Sequence, residues 1–184
     1  MLAVVEATLR PIAPVATALD FGAGEGWYAR RLLDAGILRA CVAVDVVRRP
    51  TVYVEPLIYG GRRVPLDDRS VELAFAIDVL HHCPDPRAGL AELARVSGRW
   101  VLVKDHTCRT AAGRAALRVL DELGNRRFAI GSPGHYQRRW AWDGVLEASG
   151  FALRARVHPA PVGGGWIGRA TDRLQYVSLW ERPT

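Results

Sequence analysis

The segment Asp20-Phe21-Gly22-Ala23-Gly24-Glu25-Gly26 constrains this chain more than any other. Before it, residues 15–21 form an apolar run that reads as a buried strand. After it, residues 27–35 carry apolar side chains at helical spacing and stop at Gly36. Glycines between a strand and a helix let the backbone turn sharply and approach a ligand closely. A turn of this kind, at the carboxyl edge of an open sheet, is where α/β folds bind ligands. The dinucleotide fingerprint needs its third glycine at position 27, which is Trp27. Asp20 also sits badly beside a pyrophosphate and suits a cationic or hydroxyl-bearing ligand instead. Asp45, 21 residues after Gly24, ends a second apolar run at residues 41–46. A carboxylate there can take the two hydroxyls of a ribose. Acid, glycines and ribose acid together describe a pocket for an adenosine bearing an amino-acid sulfonium.

The rest of the chain repeats the alternation of short apolar runs and helical segments that marks a parallel α/β sheet. Residues 51–54 read as a short third strand, 72–78 as a fourth and 100–104 as a fifth. Pro86 suits the first turn of a helix with Asp85 as its N-cap. Ala116, Leu117, Leu120 and Leu123 stripe a further helix, and residues 142–149 form a short one before Gly150. Residues 151–157 and 174–180 close the chain as two strands. No helix-sized segment separates them, so they pair as an antiparallel hairpin at the sheet's edge.

The length of 184 residues suits a single domain, and no stretch of 18 apolar residues provides a transmembrane helix. Met1 to Pro14 carries Glu6 and no basic cluster, which argues against a secretory signal. Cys41, Cys83 and Cys108 follow no framework spacing, so free thiols in a reducing cytoplasm are expected. Charge is unevenly spread. Residues 1–92 hold 10 basic and 12 acidic groups, whereas residues 93–184 hold 15 and 7. The glycine motif lies in the slightly acidic half, and the basic half points weakly to an acidic or phosphorylated partner.

Residues 18–107 resemble the class I S-adenosylmethionine-dependent methyltransferases, in the small-molecule branch called type 11. The resemblance is carried by ALDFGAGEG, AVDV, RRVPLDDRSVELAFAIDVLHHCPDP and WVLVKDH, in that order. It implies a Rossmann-like three-layer sandwich with a mostly parallel seven-stranded sheet and an antiparallel C-terminal hairpin strand. It also implies S-adenosyl-L-methionine as cofactor. Asp20, Gly22, Ala23, Gly24 and Gly26 would line its methionine and ribose part. Asp45 would bind the ribose, Val46 would border the adenine, and Arg63 and Val64 would lie near the adenine edge. Asp78 and Val79 would face the methionine end. Many relatives place an acid before the loop that here reads Arg62-Arg63-Val64-Pro65-Leu66, so the group that reads the adenine differs.

Methyl transfer from a sulfonium is an in-line displacement, in which alignment supplies much of the acceleration and a base helps only where the acceptor loses a proton. His81 and His82 after the fourth strand, and His106 after the fifth, are the candidate bases. Lys104 at a strand end is a candidate to attract a substrate anion or to snorkel. The spacing of His81, His82, Cys83, His106 and Cys108 matches no zinc pattern, so no metal is expected.

The 14 residues before the first strand leave room for only a small N-terminal cover. Residues 107–140 are therefore expected to act as lid and acceptor segment, with Asn125, Arg126-Arg127, His135, Tyr136 and Arg138-Arg139-Trp140 as its notable side chains. Tyr136, Trp140 and Trp142 are expected to be partly core. The expected activity is methylation of a small-molecule acceptor at oxygen, nitrogen or carbon by a monomer or homodimer. RNA methylation and non-catalytic cofactor binding are the alternatives. The fourth strand ends Asp78-Val79-Leu80-His81, without the Asn/Asp-Pro-Pro-aromatic signature of amino-directed nucleic-acid enzymes.

Overall fold

The apolar runs assemble into one sheet in the computed structural model, which describes residues 1–125, 134–161 and 171–183, the side chains of 121 and 123–125 excepted. Its strands are β1 (Ala18–Phe21), β2 (Cys41–Asp45), β3 (Pro56–Ile58), β4 (Val71–Ile77), β5 (Ser97–Cys108), β6 (Gln137–Arg138), β7 (Ala152–Val157) and β8 (Gln175–Glu181). The order is β3-β2-β1-β4-β5-β8-β7, with the two-residue β6 paired to the far end of β5. Strands β1 to β5 are mutually parallel where they pair, and β8 runs antiparallel to both β5 and β7. The closing hairpin is thus as the sequence reads.

The helices are α1 (Leu2–Leu9), α2 (Trp27–Asp34), α3 (Pro86–Val96), α4 (Ala111–Asn125) and α5 (Asp143–Ala148). One core joins α3 and α5 to the sheet through Leu19, Phe21, Leu90, Leu93 and Leu146. The other joins α1 and α2 through Val5, Leu9, Leu32, Phe75 and Leu102. Successive strand residues face opposite layers, so Leu19 and Phe21 enter one core and Ala18 the other. The first 14 residues, expected as a cover, bury Val5 and Leu9 in this second core. Asp85 caps α3, accepting from the Arg87 and Ala88 N–H groups at 2.9 and 3.2 Å. Among the described residues no helix is long and apolar enough to cross a membrane.

Three readings need correction. The third strand is not residues 51–54 but Pro56–Ile58, in register with Ala43–Asp45. Proline, lacking a donor, is tolerated as the first residue of a strand. Val54 instead packs against the glycine loop, where a Cβ on Gly26 would meet its carbonyl at 2.7 Å. The fifth strand runs four residues past Lys104, because β8 pairs Trp100–His106 and β6 pairs Thr107 and Cys108. Asp105 and His106 therefore lie within the sheet rather than in a loop after it. In the α4 stripe Leu117 is buried, but Ala116 is exposed and Leu120 is 37% exposed. Leu117 meets Cys108 and Tyr136 beyond the end of the sheet, in a small core of its own.

The chain leaves β1 in one direction, through β2 and β3, and returns on the other side of it with β4 and β5. The crevice at the carboxyl ends of β1 and β4 is where such sheets bind ligands.

Candidate active site

The glycine loop is held from below by β2. The Gly22 and Ala23 N–H groups donate to the Val44 carbonyl at 2.9 and 3.0 Å. Gly24 N–H donates to Asp45 Oδ2 at 2.7 Å, while Asp45 Oδ1 accepts from Val46 and Val47 N–H at 2.6 and 3.2 Å. Asp45 thus shapes the loop, and its Oδ2, which accepts a single bond, retains acceptor capacity for a ribose hydroxyl. Gly22, Gly24 and Gly26 all have φ near +60 to +70° (68, 60 and 71°). A Cβ on Gly24 would meet nothing within 4 Å, so the loop has open space on that side.

Gly22 is closed in. A Cβ there would lie 2.1 Å from Cγ2 of Val79. Gly22→Ala combines overpacking, about 1–3 kcal/mol, with a left-handed backbone that costs a further ~1–2 kcal/mol. The variant should unfold at least several degrees below the parent in a thermal melt and bind S-adenosylhomocysteine weakly or not at all by calorimetry. Unchanged melting would show that Val79 is free to move away.

Asp20 points inward from β1. The residue is 4% exposed, and Oδ2 has no hydrogen-bond partner. Burial, with the charge of Asp45 adding to it, pushes its pKa up to about 7. Tyr28, on the first turn of α2, is pushed up to about 12 by burial and by the charges of Asp78 and Asp20. The helical pattern gave no hint that its hydroxyl faces these acids.

Beside the loop, a short 3-10 turn, Leu80–His82, follows β4 and packs histidines against β5. His81 is 1% exposed, and its Nδ1 lies 2.7 Å from Oδ1 of Asp105, which is fully buried. Asp105 also accepts from His106 N–H at 2.7 Å and from Leu80 N–H at 3.0 Å. Burial alone would raise its pKa, but the His81 and His106 imidazoles and their hydrogen bonds outweigh this and hold it below the usual carboxylate range. The His106 ring lies 4.6 Å from that of His81 and 6.0 Å from that of Tyr136. The His82 ring lies 4.1 Å from that of His81, tilted by 43°. His106 Nδ1 is 3.4 Å from carboxylate oxygens of both Asp78 and Asp105.

Lys104 neither snorkels nor stands open to a substrate anion. It is 3% exposed and paired with Asp78, which is held at φ +54°. Three ligand atoms, from His81, Asp105 and His106, lie within 4.8 Å of one another, a grouping that the chain spacing hides. Asp105 already accepts from Leu80 N–H on Oδ2 and from His81 Nδ1 and His106 N–H on Oδ1, which fills three of its four lone-pair sites.

The crevice gathers Asp20, Gly22, Ala23, Gly24, Asp45, Asp78 and Val79, with His81, His82 and His106 at one end. Gly26 starts α2 as its left-handed N-cap, against Val54. Val46 is 54% exposed. Val64 is 1% exposed, a core residue whose N–H donates to Glu92 Oε2 at 2.9 Å. Arg63 is exposed, 3.6 Å from Asp68. Arg95 fastens the same loop, donating to the Val64 and Leu66 carbonyls at 3.0 and 2.8 Å. Tyr136 and Trp142 are buried and Trp140 is half-buried. His135 is exposed, its Nδ1 3.2 Å from the Cys83 carbonyl. Arg126, Arg127 and the Asn125 side chain lie outside the described residues.

Residues 19–99 match the model of a methyltransferase domain, type 11. These residues are a type 11 methyltransferase domain. Over these residues the chain is similar to that branch of the class I S-adenosylmethionine-dependent methyltransferases, whose cofactor is S-adenosyl-L-methionine. An uncharacterized methyltransferase of Mycobacterium tuberculosis is 34% identical over 83 residues, 42% of this chain. That match spans about a third of the relative's length (34%). In fold, the chain is similar to a putative methyltransferase of Bacillus halodurans, with TM-score 0.67, 16% identity, and coverage of 97% of this chain and 98% of the other. It is also similar to the magnesium protoporphyrin IX methyltransferase of Synechocystis with bound SAH, with TM-score 0.66, 16% identity, and coverage of 99% and 82%.

The methyltransferase domain's own residues fit its cofactor. Asp20 presents a buried carboxylate oxygen without a partner, Gly24 borders open space, and Asp45 and Asp78 add two further acids. A ligand carrying a sulfonium and an ammonium supplies the positive charge that Asp20 and Asp45 lack, whereas Asp78 already pairs with Lys104.

Proposed function

We propose that this protein transfers a methyl group from S-adenosyl-L-methionine to a small-molecule acceptor, at oxygen, nitrogen or carbon. The observation that carries this reading is the buried Asp20 carboxylate, whose Oδ2 has no hydrogen-bond partner, beside the open face of Gly24 at the switch point between β1 and β4. When bound, the cofactor supplies an electrophilic methyl group on a cationic sulfur. Asp20, Asp45 and Asp78 hold and orient the cation. Val79, pressed against Gly22, fixes the turn between cofactor and histidines. Of the candidate bases His106 serves best: its side chain is 13% exposed and so reaches the crevice, whereas His81 is enclosed. His106 takes the acceptor's proton where one is lost. His81 and Asp105 set its position, and Tyr136 walls its other side. The protein works in the cytoplasm, a reading supported by the free thiols Cys41, Cys83 and Cys108.

The test is an acceptor screen with labelled cofactor, read by mass spectrometry, alongside calorimetry with S-adenosylhomocysteine. With an acceptor that loses a proton, His106→Ala should lower kcat by about 10²-fold or more and leave cofactor affinity within about twofold. Wild-type protein that binds neither form of the cofactor would refute the reading.

A further inference from the structure

Past His106 the chain continues through Thr107 and Cys108 to the start of α4, and a cavity of about 470 Å³ opens there. That volume is in the range of small-molecule sites. Arg109 enters it from the end of β5, Arg139 from the turn after β6, and Arg173 from the residues before β8. Among the described residues, none of these three guanidinium groups has a carboxylate partner, and no acidic side chain lines the cavity. Elsewhere in the molecule arginines near an acid close on it, as Arg95 does on Glu92 and Arg156 on Asp143, both at 2.7–2.8 Å. Here three arginines from separate parts of the chain line one cavity without one. Gly113, in the first turn of α4, adds the positive end of a 15-residue helix to the same wall.

The fourth side of the cavity is a rigid aromatic surface. The Trp140 ring stands perpendicular to His158 at 5.0 Å and to Tyr176 at 5.3 Å, with the Arg156 guanidinium over its face at 4.1 Å. Arg139 and Trp140 both have positive φ, 49 and 64°. Two consecutive side-chain-bearing residues in the left-handed region are held against about 1–2 kcal/mol each. Such strain gathers at ligand clamps. Along the chain the cavity adjoins the histidine cluster. Thr107, on its wall, is the residue after His106, and Tyr136, beside His106, is the residue before β6.

We infer that this cavity holds an oxyanion, phosphate or carboxylate, carried by the methyl acceptor, so that the acceptor is a small anionic molecule. The inference rests on the methyltransferase reading above. Arg109, Arg139 and Arg173 clasp the oxyanion, Trp140 lies along the adjoining carbon skeleton, and the atom to be methylated is delivered towards His106. The acidic cofactor crevice and the basic acceptor cavity thus stand side by side, each matched to the charge of its own ligand.

The experiment titrates wild type and the double variant Arg109→Gln/Arg173→Gln with inorganic phosphate, benzoate and S-adenosylhomocysteine by calorimetry. Both substitutions are at exposed positions and the folds are compared by thermal melts. Wild type should bind at least one anion saturably, and which one tells phosphate from carboxylate. The double variant should bind that anion at least about tenfold more weakly, as expected for lost charge-assisted hydrogen bonds. Its affinity for S-adenosylhomocysteine should stay within about twofold. No saturable anion binding to wild type, or equal binding to the variant, overturns the inference while leaving the cofactor reading intact. Anion binding without S-adenosylhomocysteine binding overturns both. A single-stranded RNA that displaces the anion and binds with a steep salt dependence overturns the small-molecule assignment.

Discussion

Asp105→Asn should destabilise the protein by about 3–5 kcal/mol, the range for breaking a buried charge pair. For a chain of this length that lowers the melting temperature by roughly 10 °C. Asp105 accepts from Leu80 N–H on one oxygen and from His81 Nδ1 and His106 N–H on the other. Asparagine has a single acceptor oxygen, so either orientation of its amide faces a donor with a donor. The pH dependence gives an independent check. The folded-state pKa of Asp105 lies below its unfolded value. Its contribution is therefore complete above about pH 4 and is lost as the pH falls further towards the folded value. Urea unfolding should show the gap between wild type and variant at pH 7 and 5 and a narrower one near pH 3. A constant gap across that range would mean that packing, not charge, sets the role of Asp105. Cofactor binding should persist in any variant that stays folded, because Asp105 lies behind the histidines and not on the glycine loop.

Asp20→Asn should act in the opposite sense on the empty protein. The Asp20 pKa is pushed up to about 7, above its ordinary value. Between about pH 4 and 7 the folded state keeps a proton that the unfolded chain has released, so stability falls as the pH rises through that window. Asparagine removes this penalty. The variant should melt above wild type at pH 8 and match it near pH 4. Its affinity for S-adenosylmethionine should fall at least about tenfold, in line with the loss of a charge-assisted contact worth ~1.5–3 kcal/mol. In wild type, affinity should rise from pH 6 to 8, with proton release measured by calorimetry in buffers of different ionisation enthalpy. In the variant that dependence should vanish. Equal affinity in the two proteins would remove Asp20 from the cofactor site.

The two variants separate what was legible in the chain from what was not. Asp20, the three glycines and Asp45 stand out because turn, close approach and ribose recognition each demand a residue type at a fixed offset from a strand end. Asp85 and Pro86 mark a helix start for the same local reason. Asp105 was visible only as a neighbour of His106. Its role depends on His81, 24 residues away, which meets it because β4 and β5 lie side by side. The Lys104–Asp78 pair was hidden for the same reason, and an apparently available lysine turned out to be neutralised. The arginine-lined cavity draws on residues 109, 139 and 173, three parts of the chain that no periodicity links.

By itself, then, the sequence determined the alternating α/β architecture, its antiparallel edge and a glycine loop with its acids. All of these follow from backbone geometry and from side chains close together in the chain. Tertiary structure alone decided how far β5 runs, since strand pairing with β8 overrode the polar run from Lys104 to Thr107. It also decided which histidine reaches the crevice and which carboxylate is starved of partners. Burial and desolvation depend on what other segments cover, and that is a property of the packed molecule.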